Sequence, residues 1–473
     1  MIADLKPYPE YRDSGLPWLG QVPEHWNQRR TKFLFRERIQ KGFPDEPLLA
    51  ATQSKGVVRK EEYGSRTVTA TKDLHLLKLV EQGDYVISLR SFEGGIEVAY
   101  SRGIISPAYT VLAPQKEASH GYYTHFFKSP DFIRSLTLFV TGIREGQNID
   151  YERLSRAYLP LPPSDEQSAI VRFLSWSNGQ LEKAIRVKRK VITLLNEQKQ
   201  VIIHRAVTRG LDSSVSLKPS GILWLGDIPE HWDVRKLKFE MRFCGGGTPS
   251  KGNLSFWNGS IPWVSPKDMK TEIIRDTIDH ITERAVEQSS TNLVPAGSLL
   301  MVVRSGILQR TIPVAKAICE VALNQDMKSL TSKGRLDLDY FALFIRGCEK
   351  QLLREWTKQG ATVESIEHHY LANTKVPIPP IQEQKHIIEQ VIVEIAPITT
   401  AISRFERETE LLREYRTRLV ADVVTGKLDV RDAAVQLPDE IKESELQDEV
   451  KSLTEGDEAY SDYLESIAEE FDV

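Results

Sequence analysis

The nine residues WLGQVPEHW (residues 18–26) return almost letter for letter as WLGDIPEHW (residues 224–232), 206 positions later. Two tryptophans at a fixed spacing around a Pro-Glu-His turn do not recur by chance, so the phrase belongs to something larger that is written twice. Two further pairs agree. YLPLPPSDEQ (158–167) is answered by TKVPIPPIQEQ (374–384), and VTRGLD (207–212) by VTGKLD (424–429), both at an offset of 217. The order is phrase, variable region, Pro-Pro segment, long polar-apolar segment and closing phrase, and then the whole again. The copies span residues 14–212 and 220–429, and the second variable region is longer by 11 residues. A repeat of about 200 residues far exceeds the solenoid period of about 20–50, so this is a duplicated domain.

With 473 residues, the chain has room for more than one domain. Its 40% hydrophobic and 27% charged content is that of a soluble globular protein. No run approaches the roughly 18 apolar residues of a membrane span, and the start, MIADLKP, has no apolar signal core. Cys244, Cys319 and Cys348 show no close spacing, which points to a reducing, cytoplasmic setting and away from a zinc site or disulfide framework. The net charge of −4 hides a division: residues 439–473 carry 14 acids and two lysines, so the tail holds −12 and residues 1–438 hold +8. A basic body is compatible with nucleic acid. The tail reads as a solvated appendage.

The segment after each Pro-Pro has helical period. Stepping by four and three gives Leu181, Ile185, Lys188, Ile192, Leu195, Lys199 and Ile202. At offset 217 the same register gives Ile398, Ile402, Phe405, Thr409, Leu412, Arg416 and Leu419. This is a coiled-coil seam with polar interruptions. A neighbouring row (Ala184, Val187, Val191, Leu194, Val201) is expected to widen it. Ser177-Asn178-Gly179 in the first copy and Pro397 in the second predict a break, giving a short helix and then a long one of roughly 28 residues, about 42 Å. Two similar seams in one chain can pair about a pseudo-twofold axis.

The variable regions, 36–157 and 240–373, look like mixed α/β. Strand-like YVISL (85–89) and LLMVV (299–303) each follow a glycine closely (Gly83, Gly297) and each end in Arg-Ser. Beyond that the copies part: FEGGIE in one, GILQRTIP in the other. A duplicated scaffold thus carries two differently written surfaces. A homodimer would offer two identical readers, whereas this chain offers two different ones, which suits a split, non-palindromic target. Twofold-related readers meet the same face of B-DNA about 34 Å apart.

Over residues 8–430 the chain resembles the specificity subunit of type I restriction-modification enzymes. The carriers are SGLPWLGQVPEHW and SGILWLGDIPEHW, the PLPPSDEQ and PIPPIQEQ helix entries, and the VTRGLD and VTGKLD exits. They are joined by SLRSFEGGIE with SPAYTVL in the first copy, and by GGGTPSKG, IPWVSPKDM and NQDMKSL in the second. The resemblance implies two α/β (mixed α+β) target recognition domains joined by long coiled-coil spacer helices with internal pseudo-twofold symmetry. The expected parts are a first recognition domain with its repeated segment at 1–157 and central spacer helices at 158–212. A second recognition domain follows at 213–373, then distal spacer helices at 374–430 and an acidic tail at 431–473. It further implies that each recognition domain reads one half of a bipartite double-stranded DNA site, while the helices fix the gap and dock two modification (methyltransferase) subunits. Those subunits bind S-adenosylmethionine and methylate adenine at N6. Two restriction subunits supply ATP- and Mg-dependent translocation and cleavage, completing a type I site-specific deoxyribonuclease that defends against phage. The chain itself is expected to bind no cofactor. The acidic tail lies outside the resemblance.

The residues agree that catalysis is elsewhere. GGGTPSKG (245–252) lacks the G-x-x-x-x-G-K-[ST] order of a P-loop. Neither LPPS nor IPPI carries the amide or acid of an adenine methyltransferase motif. PDEIK (438–442) has the letters of a nuclease site but crowds them together, and His368-His369 has no second Cys/His cluster to complete a metal site. Arginine reads guanine bidentately, and Asn or Gln reads adenine. The DNA-binding candidates are therefore Arg90, Ser91 and Phe92, with Arg144 and Gln147 of GIREGQN, in the first copy. In the second they are Lys251, Arg304, Gln309 and Arg310, with Thr362 of GATVES. Arg90 and Arg304 occupy equivalent positions, so gripping phosphate or bracing the fold is the competing role. The tryptophans of the repeated phrase are read as plugs at the junction between reader and spacer. The rival organisation is a coiled-coil adaptor between proteins, which would show no salt-dependent DNA affinity.

Overall fold

The computed structural model describes residues 5–53, 55–63, 73–87, 95–141, 148–357 and 364–438. It mixes helix and strand, and it falls into two compact units, Met1–Arg189 with Arg407–Val473, and Lys190–Glu406. Each unit draws on both copies. It takes one whole reader, the helix that starts beside that reader, and the end of the other copy's helix.

The two long helices are Ser164–Arg209 and Ile381–Val424. Each begins just after its proline pair, where a missing N–H does no harm. The Pro163 and Pro380 carbonyls accept the first turn's N–H groups, from Gln167 at 2.8 Å and Gln384 at 3.0 Å. Acids in the first turn (Asp165 and Glu166; Glu383) complement the helix dipole. The stops are left-handed glycines just past the helix ends, Gly210 at φ +72° and Gly426 at φ +79°.

The predicted break does not occur. Both helices run unbroken, through Ser177-Asn178-Gly179 and through Pro397. Ser177 is buried and returns its hydroxyl to the Leu174 carbonyl at 3.2 Å. Phe173, Leu174 and Leu181 are buried on either side, and that burial outweighs the roughly 1 kcal/mol helix penalty of one glycine. Pro397 deprives the Val393 carbonyl of its donor, but Val393 is 67% exposed, so that carbonyl is not trapped in an apolar core. Ile398 and Ile402, buried directly beyond it, hold the helix on.

The seam is largely where the periodicity puts it. Leu181, Ile185, Ile398, Ile402 and Leu419 are buried, while Ile192, Leu195, Ile202, Phe405 and Leu412 are half-buried. In the first unit the helices run antiparallel: Glu182 pairs with Arg416 at 3.1 Å and, six residues on, Lys188 pairs with Glu408, eight residues back. The row expected to widen the seam does not: Val187, Leu194 and Val201 are 56%, 54% and 65% exposed. Seven-residue spacing makes them one outward-facing stripe, because a two-helix contact covers only a narrow arc of each helix.

The first unit's reader is built on a four-stranded antiparallel sheet in the order Phe35–Glu37, Thr110–Pro114, Tyr85–Ile87, Ile96–Val98. Its core is aromatic: Phe35 meets Tyr85 and Tyr123 edge to face at 5.5 and 5.1 Å. Such pairs add about 0.5–1.5 kcal/mol each beyond their burial. Leu419, Val423, Val424, Val430, Ala434 and Leu437 close this core from the end of the second long helix and the turn beyond. The second unit's reader has a five-stranded sheet in the order Met241–Gly245, Met327–Ser332, Leu299–Val302, Val314–Ala317, Ile273–Ile274. It adds a further four-stranded sheet, centred on Trp257–Val264 and Val321–Leu323, where the described residues of the first reader pair Leu49–Thr52 with Gly56–Arg59 and Lys78–Val80 with Gly103–Ile105. Ile203 and Val207 of the first long helix, and Ile387 and Val391 of the second, belong to its core.

Where the second unit has continuous chain, the first has a bridge. Lys6 pairs with Asp429, and the Asp429 N–H donates to the Lys6 carbonyl at 2.8 Å. By the two offsets both residues correspond to Asp212, which lies in the linker between the first helix and the second phrase. Among the described residues, no helix is long and apolar enough to cross a membrane.

Candidate nucleic-acid interface

The repeated phrases act at a joint. In the first unit the Trp26 indole N–H donates to Glu166 Oε1 at 2.7 Å, and His25 Nε2 lies 2.8 Å from Glu166 Oε2. In the second, Trp232 donates to Glu383 Oε1 at 3.0 Å, and His231 Nε2 lies 2.7 Å from Oε2. Each glutamate stands in the first turn of a long helix, so the phrase's His-Trp pair clamps the helix start. The neighbouring glutamine does the same by other means. Gln167 donates to the Pro162 carbonyl and accepts from Ser119 N at 3.0 Å; Gln384 donates to the Pro379 carbonyl and accepts from Asp337 N at 2.7 Å. Paired strands finish the joint, Asn27–Arg30 with Tyr158–Leu161 and Asp233–Lys236 with Lys375–Ile378.

The helix exits close the same joints from the other side. A Cβ on Gly426 would stand 2.4 Å from Pro23 and 3.1 Å from Trp26, and one on Gly210 would stand 3.3 Å from Trp232. Both tryptophans are buried, at 1% and 0% exposure. The first joint has an extra member: Tyr8, also buried, donates its hydroxyl to Glu166. Burial and the adjoining Glu166 carboxylate push this phenol well above its ordinary range, so it stays a donor. Glu166, Gln167, Glu383, Gln384 and Tyr8 had no assigned role in the sequence reading, although the repeated Glu-Gln at offset 217 was the available signal.

The joints hold each reader by one end of its sheet. In the first reader, Phe35–Glu37 and Tyr85–Ile87 run in the same direction, and the second strand points into the segment that carries Arg90, Ser91 and Phe92. In the other, Met241–Gly245 and Leu299–Val302 likewise run together, towards the Lys251 loop and the Arg304 turn. Gly245 stands in the row of Lys328 and Met301, so the two segments leave one end of the sheet. Arg90, Ser91, Phe92, Arg144, Gln147 and Thr362 lie outside the described residues. Lys251, Arg304, Gln309 and Arg310 are all exposed.

The Arg304 turn is fixed from behind. Arg304 bridges to Ser365, the Ile366 N–H donates to the Val303 carbonyl at 2.7 Å, and Leu308 is buried at 2%. The following Thr311 hydroxyl and Ile312 N–H both donate to Glu349 Oε1, at 2.5 and 2.7 Å. Gln309 and Arg310 therefore sit on a short turn pinned at both ends. Partial burial raises the Asp326 carboxyl, against the pull of the Arg304 charge. The glycine run has a packing role. A Cβ on Gly246 would lie 2.0 Å from the Asn324 carbonyl oxygen, and the Gly247 carbonyl accepts from Trp263 and Thr291 at 3.1 and 2.8 Å. Close backbone approach accounts for these glycines.

Elsewhere the titratable groups are structural in setting. Burial lifts the Cys348 thiol to about 12. The His368 ring packs edge to face on Phe243 at 5.3 Å. Among the described residues, no group of three or more His, Cys, Asp or Glu could hold a metal ion. In the first reader, Glu97 is buried beside Lys128, which donates to Oε1. Its Oε2 has no partner, and burial raises the carboxyl to about 7.

Comparison with known proteins points one way. Residues 229–402 match the type I restriction modification DNA specificity domain. The chain is 34% identical over 283 residues to the type I restriction enzyme EcoR124I/EcoR124II specificity subunit of Escherichia coli, a match that covers 58% of this chain and 64% of that protein. The match thus spans just under two thirds of that relative's length. A match to the type I restriction enzyme MjaVIII specificity subunit of Methanocaldococcus jannaschii is 24% identical and covers 75% of this chain and 81% of the relative. A solved chain from work on complex assembly and conformational transition of the type I R-M system shares the fold. Its TM-score is 0.63 at 14% identity, covering 86% of this chain and 99% of that one.

Proposed function

We propose that the chain, similar as it is to type I restriction-modification specificity subunits, is one of that family and reads the two halves of a bipartite, asymmetric DNA site. In this reading each unit's loop end faces one half-site. The long helices set the gap and dock two modification subunits, which bring S-adenosylmethionine and methylate adenine. Restriction subunits add ATP- and Mg-dependent cleavage, and the work is done in the cytoplasm. The chain contributes recognition and no chemistry of its own.

One observation carries the reading. The same His-Trp-Glu joint occurs in both units, yet among the described residues the readers it holds are built differently, a four-stranded sheet with two-stranded ones beside it in the first and a five-stranded with a four-stranded sheet in the second. Identical mounting with different contents is what two unlike half-sites require. The exposed stripe of Val187, Leu194 and Val201 gives the docking role a surface.

The test is genome-wide mapping of N6-methyladenine with and without this chain, in a host supplying the partner methyltransferase. A split motif with a fixed gap should appear only with the chain, and exchanging residues 36–157 should rewrite one half alone. Unchanged methylation with the partner expressed and complexed would overturn the reading in favour of a protein adaptor.

A further inference from the structure

A second duplication lies just beyond each phrase. RRTKFLFR (29–36) and RKLKFEMR (235–242) correspond at the phrase offset of 206. Each forms the last residues of a joint strand, a one-turn helix (Thr31–Leu34; Leu237–Glu240) and the first residues of the reader sheet. Lys32 and Lys238, Phe33 and Phe239, and Arg36 and Arg242 are all exposed, the rings at 56% and 58%. In both units the lysine ammonium lies over the neighbouring ring, at 5.1 and 5.4 Å from its centroid. Arg29 and Arg235 are paired to Glu117 and Glu240. Among the described residues, none of Lys32, Arg36, Lys238 and Arg242 pairs with a carboxylate.

The strip is unfavourable for folding alone. A ring more than half exposed forgoes burial worth about 1.5–3 kcal/mol. Lys236 and Lys375 stand directly opposite each other across the joint ladder, a like-charge pair that destabilises a sheet. In the first unit Arg30 stands opposite Tyr158 and lies over its ring at 5.4 Å. The strip also sits away from the ends of the strands Tyr85–Ile87 and Leu299–Val302. Phe35 is four rows from Ile87 along the first sheet, about 14 Å, and Met241 is five rows from Val302 in the second, about 17 Å. Two readers that differ in their loops cannot share a base sequence, so a strip written the same way in both meets something the half-sites have in common.

We propose that Lys32, Phe33 and Arg36, with Lys238, Phe239 and Arg242, grip the sugar-phosphate backbone of duplex DNA flanking each half-site, independently of sequence. The one acid within the strip, Glu240, is buried and held by Arg235, so exposed cations dominate its surface and fit a polyanion, and lysine is depleted from protein-protein interfaces. The ring, held beside its lysine, packs on deoxyribose. The strip holds the duplex against the reader while the loops at the far end of the sheet read bases. This rests on the DNA-reading function above.

The test uses the full chain assembled with its methylation partner. The quadruple variant Lys32→Gln, Arg36→Gln, Lys238→Gln, Arg242→Gln is compared with wild type by fluorescence anisotropy on target and unrelated duplexes across a salt series. Assembly is checked by size-exclusion chromatography. The expected result is intact assembly, affinity lowered on the order of 10²–10³-fold for both duplexes at 0.15 M salt, and a log-log salt slope shallower by about 3–4. Phe33→Ser with Phe239→Ser should weaken both duplexes without moving the slope. Unaltered DNA binding by the quadruple variant overturns the proposal. So does lost assembly with an unchanged slope, which would make the strip a protein dock. A wild-type complex that binds no DNA overturns the function reading as well.

Discussion

Glu166 offers the sharpest test of the joint. Replacing it with alanine removes the acceptor for the Trp26 indole and the Tyr8 hydroxyl, two donors on residues only 1% and 2% exposed. His25, whose side chain is 40% exposed, can turn to water. A buried donor left unsatisfied costs about 1–3 kcal/mol, so Glu166→Ala should destabilise the first joint by about 2–6 kcal/mol. The equivalent Glu383→Ala orphans only the Trp232 indole, because the position matching Tyr8 is Ser214; its loss should be about 1–3 kcal/mol. A chain of two units does not unfold in one step, so hydrogen exchange read segment by segment is the assay. In Glu166→Ala, residues 21–30 and 158–175 should exchange roughly 30-fold to 10⁴-fold faster, with residues 227–236 and 375–390 unchanged. Glu383→Ala should reverse the pattern at roughly 5-fold to 150-fold. Adding Tyr8→Phe to Glu166→Ala should recover part of the loss, since it deletes an orphaned hydroxyl. Acceleration under tenfold in Glu166→Ala, or equal effects of the two alanines, would refute the account of the joint.

Two further outcomes follow from the same geometry. Glu97 has a folded value near 7 against an ordinary 4.5, so the folded state holds its proton longer than the unfolded state. Its contribution is full below about pH 4.5 and is lost as pH rises to about 7, up to roughly 3 kcal/mol. Melting of the first unit between pH 5 and 8 should show this slope, and Glu97→Gln should flatten it; an unchanged slope in Glu97→Gln would assign it to other groups. On the outer stripe, Leu194→Asp with Val201→Asp should shift stability by no more than about 1 kcal/mol, since both side chains are already in water. The same pair should abolish copurification of the methylation partner. Ile203→Asp, in the core at 3% exposure, is the contrast, and should disrupt the second unit's fold itself.

What could be read without coordinates was whatever is local or periodic. Three repeated phrases at two offsets declared the duplication, the step of four and three located the seam, and the proline pairs and the closing phrases VTRGLD and VTGKLD marked the helix entries and exits. Each of these signals lies within a few residues of what it specifies. The failures were local rules overruled at a distance. Ser177-Asn178-Gly179 and Pro397 disfavour helix by a few kcal/mol, but the flanking seam buries enough apolar surface to carry the helix through. The row of Val187, Leu194 and Val201 has helical period, yet period cannot say that a two-helix contact is too narrow to cover it.

Only the folded chain decided which pieces meet. Trp26 and Glu166 stand 140 residues apart, and Gly426 comes to rest against Trp26 from 400 residues away. The joint's chemistry was printed in both copies, but its partners were not named there, because a hydrogen bond between an indole and a carboxylate leaves no mark on the spacing between them. The basic strip at 29–36 and 235–242 was equally plain as letters. That Lys32, Phe33 and Arg36, with Lys238, Phe239 and Arg242, are exposed, and that they stand at the end of the sheet opposite to where Tyr85–Ile87 and Leu299–Val302 run out, only the folded chain settles.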